Sequence, residues 1–387
     1  MDAEYFFTDE QKAFRDMMRR FVQKEIKPNA EKWEEQGCCD KAIFKRMGEL
    51  GLLGIHYPVE YGGQGADLKM HLVFWEELCR SGISGFAMSV MVHTDYGSAS
   101  LVHAGSPELK EKYLKDICSG EKLFAIGITE PNHGSDVANI ETRARWVGDR
   151  YSISGSKMFI TNGTQADVVN TVVRTGGPGV KGISLILVDT DTKGFSIGKK
   201  LHKMGMLSSD TAELVYEDCL VPRENLIGKE GQGFYYLMAG LERERLSGAV
   251  LSYIMAELAL EDSIEYAKTR IQFGTPIIGF QAISHMIAEM ATEIEAGRRL
   301  AYHTVSLMNA GIRCNKEAAM AKYWCAEMLL RVVDKAVQIH GGYGFIREYR
   351  VERLYRDAKL QTIGGGTNQI MRNVIIAEMG LRVKGCK

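Results

Sequence analysis

Leu241-Glu242-Arg243-Glu244-Arg245-Leu246 lies inside an apolar helical pattern that runs from about Phe234 to Lys268. Every third or fourth residue from Leu237 gives Leu237, Leu241, Glu244, Gly248, Leu251, Met255 and Leu258. From Tyr235 the same spacing gives Tyr235, Ala239, Glu242, Leu246, Ala249 and Tyr253. The helix is therefore apolar on two sides, with one acid on each. Glu242 and Glu244 stand about 200° apart on a helical wheel and cannot serve one site together. A carboxyl group without a partner in apolar surroundings is pushed toward neutrality, which suits a general base that must hold an abstracted proton near neutral pH. The structural alternative is ion pairing with Arg243, Arg245 or Lys268.

Upstream of this helix the texture is helical from Thr8 to about Cys118. Thr8-Asp9-Glu10-Gln11 reads as a cap, followed by Phe14, Met17, Met18, Phe21, Val22 and Ile26 at helical spacing as far as Pro28. Further helices are expected at Leu68 to Cys79 and at Ser106 to Ile117, where Pro107 suits a first turn. From Leu123 to Ile227 short β-rich runs alternate with glycine turns, as in Tyr151-Ser152-Ile153-Ser154-Gly155 and Val168-Val169-Asn170-Thr171-Val172-Val173. After Gly228 helical patterns persist to the end. The expected architecture is an α+β multidomain chain: an N-terminal helical domain (1–122), a central β-sandwich or barrel (123–228) and a C-terminal four-helix bundle (229–387).

With 387 residues, 45% hydrophobic content, 48 basic against 49 acidic side chains and a net charge of -1, the chain has length for two or three domains and no signature of a nucleic-acid binder. No apolar run approaches the roughly 20 residues that span a bilayer. The acidic start Met1-Asp2-Ala3-Glu4-Tyr5 resembles neither a secretory signal nor a transit peptide, so a cytoplasmic protein is expected. Eight cysteines and nine histidines show no metal-ligand spacing, and no metal is expected.

Gly127-Ile128-Thr129-Glu130-Pro131-Asn132-His133-Gly134-Ser135-Asp136 resembles the first signature of the flavin-dependent acyl-CoA dehydrogenases. Phe159-Ile160-Thr161-Asn162-Gly163 is similar to that family's second flavin element, and Tyr266 to Gly274 with Gln281 to its arginine-phenylalanine-glycine segment. Gln338-Ile339-His340-Gly341-Gly342-Tyr343-Gly344 and Gly364-Gly365-Gly366-Thr367-Asn368-Gln369-Ile370 complete five motifs in family order. The resemblance implies FAD held by Ile128, Thr129, Ser135, Phe159, Ile160 and Thr161. The dinucleotide end would be received by Arg270, Phe273, Gln281, Gln338, Ile339, Gly341 and Gly342, with Thr367 and Gln369 nearby. It also implies a homotetramer, a dimer of dimers whose cofactor sites are completed by a neighbouring subunit, and an electron-transferring flavoprotein as acceptor.

Family enzymes remove the α-hydrogen of an acyl-CoA as a proton and its β-hydrogen as a hydride, giving the 2-enoyl-CoA in carboxylic acid degradation. Most place the base in a Tyr-Glu-Gly-Thr element, but the matching residues here are Gly364-Gly365-Gly366-Thr367. The isovaleryl and long-chain subfamilies carry it on the earlier helix, immediately before an arginine, as Glu244-Arg245 does. Glu244 is thereby the expected base, and Ser135, Glu242, Arg245 and Gly365 the expected substrate contacts. His93-Thr94-Asp95-Tyr96 matches a segment lining the acyl end of the pocket. Asp95 reads first as a cap or loop acid, and alternatively as a second acid acting on an alicyclic or aryl-bearing acyl group. An oxidase and a non-catalytic homologue are the alternatives of other classes.

Overall fold

A computed structural model of the chain describes residues 4–381, so residues 1–3 and 382–387 of the two expected end domains lie outside the described residues. Thr8 caps helix Asp9–Phe21 through a reciprocal capping box with Gln11. The single helix expected as far as Pro28 instead widens into a π turn at Val22–Ile26 before a 3-10 turn carrying Pro28. Ser106 caps Pro107–Ser119, with Pro107 in the first turn where its missing N–H costs nothing. Two short helices the sequence reading passed over, Ser84–Met91 and Ala99–Ala104, flank a second π turn, Val92–Tyr96.

Seven strands follow: β1 Phe124–Gly127, β2 Arg143–Val147, β3 Arg150–Thr161, β4 Val168–Arg174, β5 Ile183–Asp189, β6 Phe195–Lys200 and β7 Thr211–Pro222. They form one curled sheet in the order β1-β4-β2-β3-β7-β6, with β5 also paired to β4. β1 runs parallel to β4, in register Phe124 to Val168, while β3 and β7 are antiparallel. Every residue of β4 is buried, which explains its unbroken apolar run. The β3–β7 register shifts between Lys157 and Ile160, so Phe159 stands out of the ladder with φ +62°.

The C-terminal bundle consists of Gly233–Thr269, Gln281–Asn309, Asn315–His340 and Asn368–Glu378. Its first member, 37 residues long, is the central helix. One continuous apolar core joins it to the N-terminal helices, with Leu251 and Met255 in the same cluster as Phe74 and Trp75. Glu76 ties that junction together, accepting from Tyr253 (2.6 Å), Tyr302 (2.7 Å) and Arg15 (2.6 Å). Among the described residues every cysteine is free, and no helix is long and apolar enough to cross a membrane.

Candidate active site

Both acids of the central helix lack the arginine partners that structural pairing requires. Glu244 is 9% exposed, and its carboxylate makes no hydrogen bond or ion pair with any described residue. Burial pushes it up to about 8; the charge of Arg245 opposes this and that of Asp95 adds to it. Arg245 instead gives its guanidinium to Asn315 Oδ1 at 2.5 Å. Glu242, on the other side of the helix, is raised by burial against the charges of Arg313 and Arg245, and its Oε2 accepts from Cys314 Sγ at 3.9 Å. The ion-pair alternative is therefore not what the described residues show: helix geometry sends Arg245 toward Asn315.

Glycines stand one turn before and one turn after Glu244 on its own face of the helix. A side chain at Gly240, one turn earlier, would come within 3.7 Å of Glu244 Oε1. One turn later a side chain at Gly248 would meet Gln361 Oε1 (3.8 Å) and Lys322 Cγ (4.0 Å). Lys322 is buried and donates to the Gly366 carbonyl at 2.5 Å and to Asn368 Oδ1 at 3.3 Å. The Gly364–Gly366 loop is thus fastened along the face that carries Glu244. Gly365 has φ +62° and no heavy atom within 4 Å of where a Cβ would sit, while Thr367 caps the next helix and Gln369 is exposed.

Asp95 is neither a cap nor a loop acid. The π turn Val92–Tyr96 turns its side chain into a buried polar group. Oδ2 accepts from Trp75 Nε1 (3.0 Å) and Thr94 Oγ1 (2.8 Å), whereas Oδ1 has no hydrogen bond and lies 3.3 Å from His71 Nε2. Burial works against its charge, but His71, Trp75 and Thr94 together outweigh it and hold Asp95 below the usual carboxylate range. His56 stacks on His71 with centroids 4.4 Å apart. One nitrogen of each histidine and an Asp95 oxygen lie within 4.8 Å of one another. Spacing along the chain gave no sign of this cluster, since His56, His71 and Asp95 stand 15 and 24 residues apart. His93 takes no part: Phe124 N donates to its Nδ1 and its Nε2 faces Ile117 O, both at 3.1 Å. Tyr96 fastens the turn to the central helix through Ser247 Oγ at 2.8 Å.

Residues 8–121, 125–219 and 231–380 match, in turn, the N-terminal, middle and C-terminal domains of acyl-CoA dehydrogenases. The chain belongs to the acyl-CoA dehydrogenase family. It is 43% identical to an acyl-CoA dehydrogenase of Bacillus subtilis over 95% of this chain and 97% of that protein. It is 40% identical to the caffeyl-CoA reductase-Etf complex subunit CarC of Acetobacterium woodii over 96% of this chain and 98% of that one. An acyl-CoA dehydrogenase complexed with FAD from Bacillus anthracis has a TM-score of 0.91 at 35% identity, covering 96% of this chain and 67% of that chain. The protein is accordingly an FAD-binding oxidoreductase acting on the CH–CH group of acyl-CoA.

The residues on the sheet fit a flavin. Phe159 is 65% exposed in a left-handed conformation, which for a bulky residue costs about 1–3 kcal/mol. Thr129 and Thr161 are half-buried, and neither hydroxyl bonds a described residue. Ile128 offers its carbonyl to the buried Lys157 (3.1 Å), itself paired with Glu130 (2.8 Å), so the strand end is rigid. Ile160 is core, and Ser135 is exposed on a turn. The other implied cofactor residues lie elsewhere. Arg270, Ile339, Gly341 and Gly342 line a cleft of about 550 Å³ with Tyr266 and Tyr343, and no residue of β1 to β7 borders it. Phe273 beside it is 94% exposed with φ +50°, and Gln281 and Gln338 are exposed.

Sequence reasoning missed Lys322, His71, His56, Trp75 and Arg243. A signal existed for two of them, since His71 and Trp75 stand one turn apart on a mostly apolar helix. Lys322 lies amid small residues and gives no sign of its reach to Gly366.

Proposed function

We propose that this chain catalyses FAD-dependent α,β-dehydrogenation of an acyl-CoA, with Glu244 as the base that takes the α-proton and an electron-transferring flavoprotein as the acceptor. The observation that carries this reading is the unpaired, buried Glu244 carboxyl on the helix face along which Lys322 fastens the loop of Gly365, a residue with no heavy atom within 4 Å of where its Cβ would sit. Bound FAD accepts the β-hydrogen as hydride. The chain's own part is to receive the proton in a dry pocket and to present the Gly365 N–H to the thioester oxygen, where negative charge grows. Lys322 holds that loop in place, and Arg245, Glu242 and Ser135 are the residues we assign to the CoA arm. Because Glu244 must be ionised to act and burial pushes it up to about 8 in the free enzyme, kcat/KM on a straight-chain substrate should rise with pH and level off above about 8. A profile already flat from pH 6 would contradict the assignment.

A second reading extends the first to a ring-bearing acyl group, with Asp95 as a second acid at the acyl end. It is favoured by a buried carboxylate kept ionised with one oxygen free, and by the glycine at position 365, which widens the opposite wall. A relative named as part of a caffeyl-CoA reductase complex acts, by that name, on an aryl-bearing thioester. On a ring whose α-carbon is already unsaturated, acidity passes along the double bond to a carbon the α-base does not reach, and a second acid has a task there. Flavin bleaching with butyryl-, isovaleryl-, cyclohexanecarboxyl-, cyclohexene-1-carboxyl- and 3-phenylpropionyl-CoA tests both readings. Bleaching by cyclic thioesters well ahead of butyryl-CoA supports the second, and bleaching by none removes both. Reoxidation of the reduced enzyme in air, followed by stopped flow, separates a dehydrogenase from an oxidase.

The division of labour we propose runs at 122/123 and 228/229, with flavin contacts in the middle part and the base and oligomer contacts in the last. Since the Arg270 cleft lies apart from the flavin face of the same chain, the dinucleotide is completed by a neighbouring copy in a homotetramer. Sedimentation of the yellow protein should give a tetramer, and Arg270→Ala should lower FAD content; a flavin-loaded monomer would overturn this.

A further inference from the structure

We propose that His71 and His56 form a proton exit for Asp95, returning it to the carboxylate after each turnover. The proposal rests on the second reading above, in which Asp95 receives a proton from the acyl group. Asp95 lies behind Trp75 and Thr94 and is buried, so a proton placed on it has no direct way to water. Only Oδ1 is free, and its neighbour is His71 Nε2. The Nδ1 atoms of His71 and His56 are both buried without a protein partner. His56 is half-buried and feels the charge of His103, which is exposed on the short helix Ala99–Ala104. The order Asp95, His71, His56 therefore runs outward, from two buried side chains to a half-buried one.

The proton accounting is simple. A C–H bond of the substrate breaks, its electron pair enters the new double bond, a hydride leaves to FAD, and the proton goes to Asp95 Oδ1. His71 in its Nδ1–H tautomer takes that proton at Nε2 and gives up its Nδ1 proton, by way of one water molecule, to His56, whose ring is stacked on it with centroids 4.4 Å apart. His56 releases it outward. Burial holds both histidines below their ordinary range, so each is neutral and ready to accept near pH 7.

The other groups facing the chain are Tyr57, Arg243 and Glu244. Tyr57 donates to the Thr94 carbonyl and shares a contact with Ser98, so it fixes the turn. Arg243 is packed in the same region, its Nη1 has no partner, and its charge opposes protonation of both histidines. That charge drives the proton outward. It also disfavours the other ligand these residues could hold, a divalent cation, because a second fixed positive charge would have only Asp95 to offset it.

The test is stopped flow on the FAD-loaded enzyme with cyclohexene-1-carboxyl-CoA, following flavin bleaching and, with a pH indicator, proton release. In the parent, release should keep pace with bleaching. His71→Phe should bleach once at a rate within a few-fold of the parent, release its proton late, and turn over roughly 10- to 100-fold more slowly. On butyryl-CoA, which needs only Glu244, its turnover should fall by no more than a few-fold. If His71→Phe fails to load FAD, His56→Gln carries the same expectations. Proton release and turnover unchanged in both variants, with Asp95→Asn inactive, would overturn the exit and leave the Asp95 reading standing. An unimpaired Asp95→Asn would remove both. A stoichiometric divalent metal in the purified enzyme, with bleaching lost on chelation and restored by that metal alone, would replace the exit by a metal site.

Discussion

Glu244→Gln is expected to lower the single-turnover rate of flavin reduction by roughly 10²–10⁴-fold while acyl-CoA still binds, a loss confined to the transition state. Glutamine keeps the volume of the side chain, and the parent carboxylate has no hydrogen bond to lose, so FAD content and Tm should stay near the parent's. Gly365→Glu added to that variant places a carboxylate where most of the family has one. No heavy atom stands within 4 Å of the new Cβ, so the residue has room, but φ at this position is +62°, and a non-glycine residue there costs roughly 1–2 kcal/mol. Activity should return in part, on butyryl-CoA before cyclic thioesters, because the new side chain refills the space the glycine leaves. A misplacement of about 1 Å can cost 10²-fold, so full recovery is not expected. If Glu244→Gln bleaches on butyryl-CoA at the parent rate, Glu244 is not the base and Asp95 becomes the first candidate.

Asp95→Asn should cost roughly 10²–10⁴-fold on a cyclic substrate and only a few-fold on butyryl-CoA. The amide is close in shape and its oxygen still accepts from Trp75 and Thr94, so the change removes basicity more than packing. A uniform loss on all substrates, with lowered FAD content, would instead mark Asp95 as a structural anchor of the π turn. Stability gives an independent check with a definite sign. The folded protein holds Asp95 below the ordinary carboxylate range, so its ionisation stabilises the fold above that range, and the contribution is lost as pH falls through it. The Tm difference between parent and Asp95→Asn should therefore shrink toward acid pH, whatever role the residue has in turnover.

The layout of helix, sheet and helix was legible because periodicity is a local property. The 3.6-residue pattern about Glu244, the cap at Thr8, Pro107 after Ser106 and the buried run of β4 each record what a short segment must bury. The central helix was accordingly readable to within a residue of either end, Gly233–Thr269 against about Phe234 to Lys268. The family was legible for another reason: five short motifs stand in family order along the chain.

What the sequence by itself determined, then, is that two acids lie on opposite sides of a buried helix and that position 365 has no side chain. Which of those acids has a counter-charge was left to tertiary structure, since three basic residues were near enough in sequence to pair. The fold sends Arg245 to Asn315, leaving Glu244 alone, and burial does the rest. Asp95 shows the same limit more sharply. Its neighbours are a histidine and a tryptophan on the helix Leu68–Cys79 and a histidine from the loop before it, and the π turn that aims it inward shows no distinct periodicity. Contacts between residues so far apart in the chain are set by how whole helices pack against one another, and no short window of sequence contains that information.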